Sequence, residues 1–241
     1  MSSDRRLSTC GGWRPIPSRE AAPLRLVLIG ATGLVGSLLA DRLLAGEAVV
    51  HALVRRPSGR THERWHEHVA PSADWPGLAA GLAVDAAVSA LGTTMRSAGS
   101  QAAFRAVDLE TVVAFAAAAR WAGARRMVTV SSVGADPGSR NFYLRTKGEM
   151  ERALEGLGFD RLDVLRPGLL RGKRGGERRL GERIGIALSP VVNLVLRGRL
   201  DRFAAIDAEI VAEAAAGLLR RSEPGTYRHE NRSIRALADA D

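Results

Sequence analysis

Tyr143 and Lys147 stand four residues apart in the stretch FYLRTKGEME, a spacing that on a helix turns both side chains to one face. The pairing carries weight because Tyr143 and Tyr227 are the only tyrosines and Lys147 and Lys173 the only lysines. A tyrosine hydroxyl, with a reference pKa of about 10, becomes a useful proton donor or acceptor near neutral pH when an adjacent ammonium stabilises its anion. Lys147 can also bind a ribose. Ahead of the pair, Ser131 and Ser132 end the apolar run RMVTVSS. Ser132 is placed to hydrogen-bond a carbonyl oxygen as hydride arrives or leaves.

A second group of residues points to a phosphate. In GATGLVG, Gly30, Gly33 and Gly36 recur at every third position, after an apolar run and before a helical pattern. Glycine permits the tight turn and close main-chain approach to a pyrophosphate, and the helix N-terminus offers free N–H donors. The backbone amides of Thr32, Leu34 and Val35 lie along the same turn. Thr32 occupies the place of the middle glycine in the commoner G-x-G-x-x-G, so the string is a variant of that signal. About 20 residues beyond such a turn, NAD-binding sites place a carboxylate on the ribose 2′-hydroxyl. Arg55 and Arg56 stand there instead. A guanidinium at that place holds a 2′-phosphate through a forked contact, and a second can lie over the adenine, which selects NADP(H) over NAD.

The elements that must position these residues follow from hydrophobic period. LRLVLIG from Leu24, VVHALV from Val49, VDAAVSALG from Val84, RMVTVSS from Arg126 and RLDVLRPGLL from Arg161 read as buried parallel strands. Between them, Leu34–Leu43, the alanine-rich stretch through Phe104, Val112 and Phe115, and about Tyr143–Leu157 read as helices. A last helix is expected near Ala208–Leu219. Alternating strands and helices predict an α/β fold, a doubly wound, mostly parallel Rossmann sheet with helices on both faces. At 241 residues one such domain is expected, over 24–241, behind a flexible tail over 1–23.

His62, Glu63 and His66 spell H-E-x-x-H, which on a helix would bring two imidazoles and a carboxylate to one zinc ion. The segment alternates like a strand, where the two histidines would stand roughly 13 Å apart, so no metal is expected. No apolar run reaches the ~20 residues of a membrane span. The net charge of +9 is spread along the chain and comes almost wholly from arginine, which predicts a solvated basic surface and neither nucleic acid nor membrane as partner. Cys10 is the only cysteine, and the first residues lack the apolar centre of a secretion signal; together these predict a cytoplasmic address.

GATGLVG, LVRRP, SALGTT, VSSVGAD, YLRTKGEME and LRPGLL occur in the order found in short-chain dehydrogenase/reductases. The chain resembles their atypical group, which includes the Tat-interacting oxidoreductase-like proteins, over about Leu24–Leu237. The resemblance implies NADPH on the glycine turn and arginine pair, with Tyr143 and Lys147 catalytic and also touching the cofactor. It further implies that Leu91 and Gly92 line the cofactor and that Leu170 and Arg178 close over it. Where many relatives read Asn-Ala-Gly, this chain reads Ala90, Leu91 and Gly92. The expected activity is NADPH-dependent reduction of a small carbonyl compound, with Ser132 orienting the carbonyl. Two alternatives stand beside it: a regulatory protein sensing NADP redox state through a protein partner, and epimerase or dehydratase chemistry with retained cofactor. Between Arg171 and Arg183 six basic residues fit either a lid over the cofactor or a solvated loop. Oligomeric state is not legible in these residues.

Overall fold

A computed structural model describes residues 23–172 and 202–240. Nearly all of the expected tail, most of the Arg-rich segment and the apolar stretch from Ile184 lie outside the described residues.

The first half follows the expected alternation: β1 (Arg25–Ile29), α1 (Leu34–Ala45), β2 (Val49–Val54), β3 (Trp65–Val69), α2 (Trp75–Ala80) and β4 (Ala86–Ser89). Short helices α3 (Met95–Ala98) and α4 (Gln101–Arg105) lead through a π-helical turn (Ala106–Thr111) into α5 (Val112–Trp121). Then come β5 (Arg126–Val130), α6 (Phe142–Glu155), β6 (Arg161–Arg166), β7 (Leu170–Arg171), β8 (Ile206–Asp207), α7 (Ala208–Leu218), β9 (Gly225–Glu230) and α8 (Asn231–Ala238). Seven strands form one parallel sheet in the order β3-β2-β1-β4-β5-β6-β9, and β7 pairs with β8 beside it.

The unbroken apolar character of β1 has a direct cause. Leu26 and Leu28 pack on one side with Leu39 and Leu43 of α1 and Val211 and Ala215 of α7. Val27 and Ile29 pack on the other with Trp75 of α2, Phe115 of α5 and Met150 and Leu154 of α6. A strand covered on both faces has no polar side to show.

Two expectations change. The run RLDVLRPGLL is not one strand: after Arg166 the chain leaves the sheet at Pro167 and Gly168, and a side chain on Gly168 would sit 2.2 Å from the Ala204 carbonyl oxygen. That close approach brings β7 against β8. The terminal βα unit, β9 and α8, has no counterpart in the sequence reading, because GTYRHE sits on the sheet edge with only His229 buried and shows no apolar alternation. The segment spelling H-E-x-x-H does fill the third strand: His66 lies within β3 and His62 before it. Among the described residues no group of three or more His, Cys, Asp or Glu could hold a metal ion, and no helix is long and apolar enough to cross a membrane.

On one face of the β2–β3 edge, His51, His66 and His68 gather. The His51 and His66 rings stack with centroids 5.0 Å apart, and His51 Nδ1 lies 3.2 Å from His68 Nε2. Burial first, then the neighbouring His66, His68 and Arg25, lower the His51 pKa to about 4, and burial lowers that of His68. An unfolded chain protonates these rings near 6.5, before the folded one does, so stability is full above that pH and declines as pH falls toward 4. Thermal melts are expected to show a falling Tm between pH 7 and pH 5, with a shallower fall in His51→Gln; equal slopes in the two proteins would contradict this.

Candidate functional site

At the carboxyl ends of β1, β4 and β5, where parallel sheets bind ligands, a cavity of about 260 Å³ is lined by Gly33, Leu34, Val35, Ala90–Thr94, Ser97, Asp108, Val130, Ser131, Tyr143, Lys147 and Leu170. Of the three glycines Gly33 lines it, and Gly30 and Gly36 shape the turn beside it by letting backbone segments touch. Gly30 adopts φ +81°, and a Cβ there would meet the Ala90 carbonyl carbon at 2.3 Å. A Cβ on Gly36 would lie 2.1 Å from the Gly30 carbonyl oxygen, which seats α1 on the turn. Gly33 is the N-cap of α1 and its amide bonds the Gly30 carbonyl at 2.9 Å. No side chain caps this helix and its first turn carries no acid. Its opening amides therefore lie beside the cavity with the positive end of the helix dipole, the arrangement that receives a phosphate. Thr32 is exposed on the same turn.

Tyr143 and Lys147 occupy successive turns of α6, as their spacing requires, and both reach the cavity. Asn141 starts the helix by accepting the Leu144 N–H at 3.2 Å. Gly148 lets the helix press onto the loop before it, since a side chain there would lie 2.2 Å from Pro137 N. The Tyr143 ring packs beside buried Phe104 at 5.4 Å. Lys147 is buried and meets the fully buried Asp108, Nζ to Oδ1 2.7 Å. The second oxygen of Asp108 accepts the Thr93 N–H at 2.9 Å.

The two serines part company. Ser131 is buried and donates to Glu151 Oε1 at 2.5 Å, while Arg166 donates to both oxygens of that carboxylate. Ser132 is half-buried, lies outside the cavity lining, and has only a long contact of 3.4 Å to the Val133 carbonyl oxygen. Leu91, Gly92 and Leu170 are at the cavity, Leu170 through β7. Arg55 and Arg56 follow β2 directly, are exposed, and enter no salt bridge among the described residues. Arg178 lies outside the described residues.

Sequence reading did not single out Asp108 or Glu151. Both had a signal. Asp108 stands four residues after Phe104 and four before Val112, an acid inside an apolar helical stripe. Glu151 continues the stripe of Tyr143 and Lys147 by another four.

The family model described as NAD(P)H-binding matches residues 30–186. Protein FMP52, mitochondrial, of Coccidioides immitis is 33% identical over 229 residues, covering 89% of this chain and 93% of its own. The protein of that name in Eremothecium gossypii is 37% identical over 183 residues, covering 73% and 79%. Among solved structures, the Bordetella bronchiseptica enzyme WbmH in complex with NAD+ superposes with a TM-score of 0.65 at 17% identity, over 90% of this chain and 79% of that one. The UDP-Glc/GlcNAc 4-epimerase of Campylobacter jejuni gives a TM-score of 0.65 at 13% identity, over 90% and 82%. Likeness at that identity concerns the fold.

The FMP52 names overturn the expected cytoplasmic address, since those relatives are called mitochondrial. The lack of an apolar leader centre argues only against secretion; mitochondrial targeting segments are amphipathic and Arg-rich.

Gly30→Ala is expected to destabilise the protein by about 2 kcal/mol or more, from strain at positive φ and the clash with Ala90, and to abolish pyridine-nucleotide binding. Exposed Thr32→Ala should stay within about 0.5 kcal/mol. Urea unfolding of both variants checks this, and a Gly30→Ala protein as stable as wild type would contradict it.

Proposed function

The chain belongs to the NAD(P)H-binding family, in the company of the atypical short-chain dehydrogenase/reductases, and from that premise we propose that it is an NADPH-dependent reductase of a small carbonyl compound. The observation that carries the reading is one cavity joining the uncapped start of α1 to Tyr143 and Lys147. A nucleotide whose diphosphate rests on that helix end extends along the sheet edge toward both side chains.

The dinucleotide, when bound, supplies the hydride; the rest of the work falls to the chain. Tyr143 donates its proton to the carbonyl oxygen as negative charge develops there, and the Lys147 ammonium stabilises the tyrosinate left behind. The remaining N–H donors of Lys147 reach the ribose next to the nicotinamide. Ser132 lies outside the cavity lining, so it orients the part of a substrate that extends past it: its hydroxyl is held by one long contact and can turn, whereas the Ser131 proton is committed to Glu151. Preference for NADPH over NADH rests on Arg55 and Arg56, whose exposed guanidiniums after β2 suit a 2′-phosphate, with no carboxylate at that place for a 2′-hydroxyl.

NADPH consumption across a panel of aldehydes, ketones and quinones tests the activity. Turnover is expected with at least one of them, falling by about 100-fold to 10,000-fold in Tyr143→Phe while NADPH affinity stays within a few-fold. Tight NADPH binding with no turnover on any member would make the protein a nucleotide-binding module and defeat the reductase reading. Separately, Arg55→Ser with Arg56→Ser should weaken NADPH binding by about 10-fold to 100-fold and leave NADH binding unchanged; equal loss for the two nucleotides would remove the case for 2′-phosphate recognition.

A further inference from the structure

Between β2 and β3 the chain carries the arginine pair into a loop that is fastened on both sides. Leu53 lies opposite Ile29 in the sheet, so Arg55 and Arg56 leave β2 next to the Gly30 turn that leads into α1. Pro57 follows at once, and its ring fixes one backbone angle. Ser58 is then gripped by Glu67 of β3: its N–H donates toward both carboxylate oxygens, each at 3.2 Å, and its hydroxyl donates to Oε1. The same Oε1 accepts the Nε1–H of buried Trp65 at 3.0 Å. The Ser58 hydroxyl oxygen in turn accepts the Arg60 N–H at 3.1 Å. Arg60 carries the loop across to α1, donating to the Ser37 carbonyl oxygen at 3.2 Å and pairing with Asp41, while its guanidinium lies 5.2 Å from the centre of the Trp65 ring. Burial alone would raise the Glu67 pKa, but the hydrogen bonds from Ser58 and Trp65 and the nearby Arg60 outweigh it and hold the carboxyl below its usual range.

We propose that Glu67 is a positioning residue for the adenosine end of the nucleotide: by fastening Ser58 it holds Arg55 and Arg56 in place before a 2′-phosphate arrives, and so sets how strongly NADPH is preferred to NADH. This rests on the NADPH reading of the arginine pair. Both arginines are exposed, and a long side chain on a loose loop gives up conformational freedom when it binds. The Glu67 clasp moves part of that ordering into folding, where it no longer counts against the nucleotide. NADH has no 2′-phosphate for the arginines to hold, so the clasp leaves its binding unchanged. The carboxylates that touch the loop are themselves covered. Glu67 faces the donors of Ser58 and Trp65, and Asp41 faces Arg60, which reduces their repulsion of a phosphate. Glu63, farther along the loop, lies 4.0 Å from Arg64.

The test measures NADPH and NADH dissociation constants by fluorescence titration of the full chain. Glu67→Ala is expected to weaken NADPH by about 3-fold to 10-fold and to leave NADH within about 2-fold of wild type. Ser58→Thr keeps both the amide and the hydroxyl and should retain the wild-type ratio of the two affinities. Ser58→Ala removes only the hydroxyl, at an exposed position, and should weaken NADPH by about 2-fold to 3-fold; it carries the test if Glu67→Ala fails to fold. Added to Arg55→Ser with Arg56→Ser, Glu67→Ala should cause no further loss, because the residues act as one unit. An unchanged NADPH to NADH ratio in both Glu67→Ala and Ser58→Ala, or an equal loss for the two nucleotides, would overturn the proposal. So would a further loss in the combined variant. If the arginine variant loses NADPH selectively and the clasp variants do not, the role of Glu67 falls alone. If the arginine variant shows no selective loss, the NADPH reading falls and takes this proposal with it.

Discussion

The site depends on how closely the turn after β1 approaches the end of β4. Gly30, at positive φ, lies so near Ala90 and Leu91 that no side chain fits between them, and Gly36 lies equally near the Gly30 carbonyl oxygen. These contacts bring the first turn of α1 down to the sheet edge with its amides uncapped. A helix end in that state carries unsatisfied donors and a partial positive charge. Both are tolerated because an anion can answer them. The same approach sets the course of Ala90–Thr94, and that loop in turn places the Thr93 amide on Asp108.

The second half of the site hangs on one face of α6. Tyr143, Lys147 and Glu151 follow each other at helical spacing, and each is held by a different neighbour: Phe104, Asp108 and Arg166 respectively. Gly148, on the side of the helix turned to the Asp136–Pro137 loop, lets the backbone come close enough for those contacts to form. Buried charges in this region occur in pairs, as the cost of burial requires. Lys147 meets Asp108, and Arg166 meets Glu151. The cavity thus holds a phenol and an ammonium without leaving an uncompensated ion in the core.

Much of this is legible in the sequence. The strands buried on both faces announce themselves as apolar runs, and the glycine spacing and the Tyr143–Lys147 interval point to residues that meet at the cavity. The rest was hidden for physical reasons. Asp108 is far in sequence from Lys147, so its place in the stripe of Phe104 and Val112 marks it as an acid among apolar residues without naming the cation it meets. The edge strand β9 is polar because one of its sides faces no neighbouring strand, and the break at Pro167 and Gly168 reflects a contact with Ala204 that only the fold creates. Ser131 and Ser132 could not be told apart by position alone; their difference lies in Glu151, two helical turns beyond Tyr143. The cellular address was misread because a single cysteine and a leader without an apolar core are as compatible with mitochondria as with the cytoplasm.

A crystal structure of the chain with NADPH bound decides whether the start of α1 receives the nucleotide. The diphosphate is expected against the backbone amides of Leu34 and Val35, the nicotinamide ribose at Lys147, and the adenosine end beside Arg55 and Arg56. A nucleotide bound elsewhere, or a diphosphate more than one hydrogen-bond length from the start of α1, would contradict it.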